Sequence, residues 1–352
     1  MPDPRIQKIA EILVNYSTKI KKGDYVQVQA DTVSEPLIKA LYPLILKKEA
    51  FPIIRLGFSW MNYSYYKHST DFHINNFPEI SMEEMKKTDV FINIRGAGNS
   101  KELSSIPPKK IAQRMKVLGP INKERLKKRW VLFEYPTYSL AQDANLSLEE
   151  TEDYVFNSCI LDWEKEAKKL DKAMQIMSKG KHIRITGDST DISFSIEGRK
   201  FKKGDGTRNM PDGEIFTAPV ESSVNGHIKF DYPSIYSGKE VSGIYLEFKN
   251  GLITKATADK NQELLKEIIA TDEGSKKLGE LGIGLNPMLN KPLKSILFDE
   301  KQDKTIHLAI GKAYPECNGT NLSAIHWDMI KDMKQGKIFL DKKLVYENGK
   351  FL

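Results

Sequence analysis

A histidine and an aspartate two positions apart, His326 and Asp328, flank Trp327 in a run with strand character, Ser323 to Ile330. Alternate residues on a strand project to the same face, so one imidazole and one carboxylate there can reach a single cation. His307 sits in a second alternating run, Thr305 to Ile310, in which Ile306, Leu308 and Ile310 claim the opposite, buried side. Its imidazole therefore points away from the core. Neutral imidazoles combined with carboxylates suit divalent transition metals. An isolated histidine is more often a hydrogen-bonded or surface residue, and His68, His73, His182 and His227 fall in no comparable pattern. Two ions held side by side demand further carboxylates, at least one of them shared between the ions. The fold must bring those acids from elsewhere in the chain.

The elements that would position these groups change texture midway. Asp3 followed by Pro4 reads as a helix start, with Ile6, Ile9 and Leu13 on one face. Tyr25 to Gln29 is a strand, Glu35 to Lys48 a helix, Phe51 to Leu56 a strand, Ser81 to Lys87 a short helix and Asp89 to Ile94 a strand. Trp130 to Tyr135 adds another strand, and Leu146 to Ser178 one or two helices starting near Ser147. Strands alternating with helices predict a parallel sheet with helical crossovers. From Lys181 onward, period-two alternation takes over at Ile183 and Ile185, at Ile192, Phe194 and Ile196, and at Ile228 and Phe230. Asn250-Gly251 and Asn348-Gly349 are the dipeptides favoured in type I′ hairpin turns. Helical patterns at Asn261 to Ala270 and Glu273 to Leu281 interrupt these strands. The expectation is an α/β amino-terminal domain with a mainly parallel sheet, residues 1–185. A mixed α+β carboxyl-terminal domain, residues 186–352, then carries the metal-binding chemistry.

Composition narrows the class. A chain of 352 residues, with 40% hydrophobic and 29% charged residues, is long enough for two self-sufficient cores. No signal-peptide pattern opens it and no run approaches the ~18 apolar residues of a membrane span. Cys159 and Cys317 form no CxxC pair, which excludes a disulfide framework or a thiolate zinc site and fits a reducing cytoplasm. The net charge of +7 comes from lysines scattered among acids, a solvated surface rather than a nucleic-acid footprint. Gly96, Ala97 and Gly98 after an early strand make a turn, not a phosphate cradle, so the first domain is assigned no chemistry.

Five blocks carry a family resemblance: Asn209-Met-Pro-Asp-Gly-Glu-Ile-Phe-Thr-Ala-Pro219, Thr271-Asp-Glu-Gly-Ser-Lys-Lys-Leu-Gly-Glu280, Leu297-Phe-Asp-Glu300, His307-Leu-Ala-Ile-Gly-Lys-Ala-Tyr314 and His326-Trp-Asp-Met329. In order and content they resemble the signature blocks of the M29 metallopeptidases, the thermophilic aminopeptidases. The resemblance is sharpest over residues 185–330 and more diffuse before them. It implies a metal-dependent aminopeptidase acting on short peptides through two divalent ions, Zn²⁺, Co²⁺, Mn²⁺ or Mg²⁺. It implies the metal ligands Glu214, Glu280, Glu300, His307, His326 and Asp328, with Tyr314 beside the ions and Glu280 a candidate general base. It also implies a homodimer, the first domain serving as dimer contact and cover for the site. Arg208 and Asn209, just before the first block, are candidates for holding substrate backbone. Gly282 to Ser295 is shorter than usual in the family, Glu300 to His307 slightly longer, and Cys317 to Thr320 compact.

Two rival readings stand beside this one. His307, His326 and Asp328 also make the two-histidine, one-carboxylate triad of a single-iron ring-cleaving dioxygenase, which leaves Glu214, Glu280 and Glu300 surplus. A non-enzymatic RNA binder would instead use the lysines, and its binding would weaken with salt.

Overall fold

The computed structural model describes residues 3–236 and 238–352. The chain forms two compact units, one ending at Leu161 and including Gly206–Pro211, the other holding Asp162–Asp205 and Asp212–Leu352.

In the first unit, five parallel strands run in the order Phe51–Gly57, Tyr25–Asp31, Val90–Arg95, Arg129–Glu134 and Asn209–Met210. Val26, Val28, Ile92, Val131 and Phe133 are fully buried along its inner strands, as a sheet covered by helical crossovers requires. Asp3 caps helix Pro4–Ile12 by accepting from the Arg5 amide. The expected stretch after Ser147 resolves into two helices, Leu148–Cys159 and Trp163–Met177. Ser147 and Glu150 close a capping box on the first, and Asp162 caps the second. Helix Pro108–Arg125, none of whose residues is fully buried, escapes the sequence pattern because Gly119 and Pro120 inside it read as a break.

The second unit is mostly antiparallel. An eight-stranded sheet includes Thr190–Ser195, His182–Gly187 and Tyr245–Lys249, and a five-stranded sheet runs His326–Asp332, Thr305–Gly311, Leu278–Gly284, Glu214–Thr217 and Lys202–Gly204. Their inner faces share one core, with Ile183, Ile192 and Leu246 from the larger sheet and Leu281, Ile283, Leu308 and Met329 from the smaller. Both Asn-Gly turns form, with positive φ at Asn250, Gly251, Asn348 and Gly349 as type I′ geometry demands.

Two expectations need correction. The unit boundary falls after Leu161 rather than near residue 185. Leu170, Ala173 and Met177 of helix Trp163–Met177 belong to the second core, so that helix folds with the strands that follow it. The helix expected over Glu273–Leu281 is absent: Leu278–Gly284 is a fully buried strand. The three-residue spacing of Leu278 and Leu281 imitates a helix, but Gly279, Gly282 and Gly284 disfavour one and permit close strand packing. Among the described residues no helix is long and apolar enough to cross a membrane.

Candidate metal centre

The smaller sheet of the second unit has two unlike faces. Its registers pair Gly282 with His307 and Phe216, Glu280 with Ala309, Ala309 with Asp328, Gly311 with His326, and Gly284 with Glu214. Alternation therefore places Glu214, Glu280, His307, His326 and Asp328 on the same face of four adjacent strands. The intervening positions on that face include Gly282, Gly284, Ala309 and Gly311, which leave room between the functional groups. A register shift at Gly279 matters here: Leu278 pairs with Ile310 on the core face, yet Glu280, two residues on, pairs with Ala309 on the other. A Cβ on Gly279 would lie 2.4 Å from the Gly311 carbonyl oxygen.

The groups converge closely. His326 Nε2 lies 3.0 Å from Glu280 Oε2 and 3.4 Å from Asp328 Oδ1. His307 Nε2 lies 3.4 Å from Glu214 Oε2 and 3.8 Å from Glu280 Oε1. Glu280 thus stands between the two imidazoles. The carbonyl of Lys312 accepts from His326 Nδ1 at 2.7 Å. Because a carbonyl only accepts, Nδ1 carries a proton, which leaves Nε2, the nitrogen facing the acids, as the one that would ligate a metal.

Glu300 follows the short helix Ile296–Asp299, and the next residue, Lys301, has no solvent exposure at all. Its ammonium pairs with Glu300 and lies 3.4 Å from Glu214 Oε1. Tyr314 lies 4.9 Å from His326 and 5.7 Å from Phe216, ring centre to ring centre. Burial around its hydroxyl, then the charges of Glu280 and Asp328, raise its pKa, so it stays a neutral donor.

Protonation reflects crowded acid. Burial works against a charge on His307, but Glu280 and Glu214 push it up to about 9, and Asp328 and Glu280 likewise raise His326. Burial drives Glu214 up to about 8, a rise that Lys301 opposes. Burial also acts to raise Asp328, but His326 brings it down to about 2, and His307 and His326 similarly hold Glu280 below the usual carboxylate range. Lys301 remains charged because Glu214 and Glu300 outweigh its burial. The crowded acids thus hold extra protons on Glu214, His307 and His326, and a bound cation would take the place of those protons.

The residues fit a metal. Single ligand atoms of Glu280, His307 and Asp328 all lie within 4.8 Å of one another. Glu214 Oε2, His307 Nδ1 and Asp328 Oδ1 are buried without a hydrogen-bond partner, a costly condition that coordination or outer contacts to ligands relieve. A Cβ on Gly282 would lie 2.0 Å from the His307 ring, so glycine there makes room for the imidazole.

All six residues expected as ligands thus come together, with Tyr314 beside them. Arg208 and Asn209 belong to the first unit: Arg208 lies over the Trp130 ring and donates to the Lys128 carbonyl, while Asn209 pairs with Leu132. Sequence reasoning missed Lys301, because one lysine after an acid reads as solvated surface. It also missed Asp212, a buried acid whose charge acts on Glu214 and Lys301. Its place two residues before Glu214 was the available signal.

A family model described as thermophilic metalloprotease (M29) matches residues 2–351. Among curated proteins, the chain is 25% identical to Aminopeptidase 2 of Geobacillus stearothermophilus, over 91% of this chain and 87% of that one. It is 27% identical to Aminopeptidase T of Thermus thermophilus, over 71% of each. The solved structure of wild-type AmpT from Thermus thermophilus superposes with a TM-score of 0.88 at 20% identity, covering 99% of both chains, a likeness of fold. With the family's match running through the whole of both units, the chain belongs to the M29 family of metallopeptidases.

Proposed function

We propose that the chain is a cytoplasmic aminopeptidase, active as a homodimer, that removes the first residue from short peptides with two divalent ions. Glu214, Glu280, Glu300, His307, His326 and Asp328 would hold them. The observation that carries this reading is the convergence of three acids and two imidazoles on one sheet face, with Glu300 joined to Glu214 through the buried Lys301. The aminopeptidase names of the relatives support the reaction class. When bound, such ions polarise the scissile carbonyl and make hydroxide accessible near neutral pH.

The chain's own groups divide the remaining work. Glu280 stands between both imidazoles, so its carboxylate is placed to take the proton from attacking water and return it to the departing amine. Tyr314, kept neutral, donates toward the oxyanion that develops as the carbonyl carbon becomes tetrahedral. Lys301 fixes the direction of Glu214 and Glu300 and offsets part of their repulsion. The single-iron reading uses His307, His326 and Asp328 but leaves Glu214, Glu280 and Glu300 without a task.

The test is release of the first residue from a short peptide before and after chelation. Activity should vanish with the metal and return on adding Co²⁺ or Zn²⁺, and an acetylated peptide should resist. Undiminished activity in chelated protein, or oxygen uptake with one tightly bound iron, would overturn the proposal.

A further inference from the structure

Beside the metal centre, within the second unit, lies a recess of about 260 Å³. His326 and Asp328 form one wall, and Pro233, Ile235, Tyr236 and Ile296 supply an apolar lining. The hairpin bearing Ile235, strands Ser234–Tyr236 and Lys239–Val241, is tied to the ligand strand. Ser234 Oγ donates to the Asp328 carbonyl at 2.7 Å, and Tyr236 packs edge-on against Trp327 at 5.7 Å. The recess wall and two metal-binding residues are therefore fixed to the same strand.

The charges at its border are engaged elsewhere. The Lys294 ammonium pairs with Glu240 at 2.9 Å, and Asp299 accepts from the Leu293 amide at 2.7 Å. The apolar groups, by contrast, remain open: Ile235 is 37% exposed and Ile296 45% exposed. A lining of this kind gains most from an aliphatic or aromatic occupant.

We propose that this recess binds the side chain of the substrate's first residue, and that it selects peptides beginning with a bulky apolar residue such as leucine or phenylalanine. The inference rests on the aminopeptidase reading, because it needs the scissile carbonyl at the neighbouring metals. The size favours a single side chain, and the place beside the metal residues favours the first residue. The volume lies below the ~300–1,000 Å³ typical of sites that enclose whole ligands, so it suits one residue. Its wall of His326 and Asp328 sets it beside the proposed ions, where the residue that bears the scissile carbonyl would lie.

Two measurements test this. In the first, kcat/KM is compared for leucine and alanine p-nitroanilides with added Co²⁺, in the native chain and in Ile235→Trp, which fills the recess. The leucine-to-alanine ratio should be roughly tenfold or more in the native chain and fall by a similar factor in the variant. A ratio is independent of the fraction of variant that folds. In the second, calorimetry measures binding of free L-leucine and glycine to the Co²⁺-loaded protein, with leucine expected to bind roughly tenfold more tightly. Selective leucine binding without peptide cleavage would retain the pocket and end the aminopeptidase reading. Cleavage with no preference at the first residue, or a preference that Ile235→Trp leaves intact, would overturn the pocket.

Discussion

The two faces of the five-stranded sheet come from the same strands and do opposite work. Thr305–Gly311 turns Ile306, Leu308 and Ile310 toward the core and His307 toward the acids. Glu214–Thr217 divides likewise, with Ile215 in the core and Glu214 beside His307 and Lys301. One face holds dry contacts that favour folding, while the other collects like charges that oppose it. Stability and chemistry are therefore separable by single positions, because strand periodicity assigns neighbouring residues to different tasks.

That separation can be broken by substitution. The largest expected effect is from Glu280→Gln, which should cut kcat/KM by about 10²–10⁴ while leaving the unfolding midpoint nearly unchanged. Near-normal turnover would remove Glu280 from the proton-transfer role. Lys301→Met should destabilise metal-free protein by about 3–5 kcal/mol, since Glu214 and Glu300 lose their buried partner. Added Co²⁺ should restore part of that loss, and denaturant unfolding with and without metal is the measurement. A variant equally stable in both conditions would mean the ammonium does not balance the acids.

On the opposite face, Leu308→Ala should cost about 2–5 kcal/mol of stability, with activity per folded molecule retained. If activity fell with intact folding, the faces would not be independent. Gly282→Ala should displace the His307 imidazole and weaken metal binding by roughly 10–100-fold, read by metal titration. Unaltered affinity would show that the ring has room to shift.

The smallest effect lies away from both faces. The Asp272 carboxylate accepts from the amides of Ala324 and Ser275, and the Ala324 amide leads the groups that lower its pKa. A depressed folded-state pKa adds stability that is present above the unfolded value, near 3.9, and is lost as pH falls through the folded value. Acid unfolding of Asp272→Asn should therefore show a weaker dependence below about pH 4 than the native chain. Identical acid profiles would refute that contribution.

These contrasts also explain what the sequence revealed. Asn250-Gly251, Asn348-Gly349 and the helix start near Ser147 were legible because local chemistry alone dictates them. His326, Asp328 and His307 were legible as strand residues through their alternating apolar neighbours. The remaining residues proposed as ligands needed the family resemblance, since Glu214, Glu280 and Glu300 meet the histidines only through strand pairing and a short helix. Helix Pro108–Arg125 was obscured by Gly119 and Pro120, which interrupt the helical spacing of Ile111, Met115 and Leu118. Strand Leu278–Gly284 misled because it is buried on both faces and its alternation slips at Gly279. Lys301 was hidden among 54 lysines and arginines, and only burial sets it apart.

The slip at Gly279 makes Leu278–Gly284 a strand with two phases, one facing the interior and the next facing the candidate metal centre. Shorten it by that residue, and either an acid enters the oily layer or a leucine enters the ring of ligands. On the proposed function, a misaligned copy would lose cohesion and turnover together, and peptide hydrolysis would double as a readout that the strands have mated in the right frame.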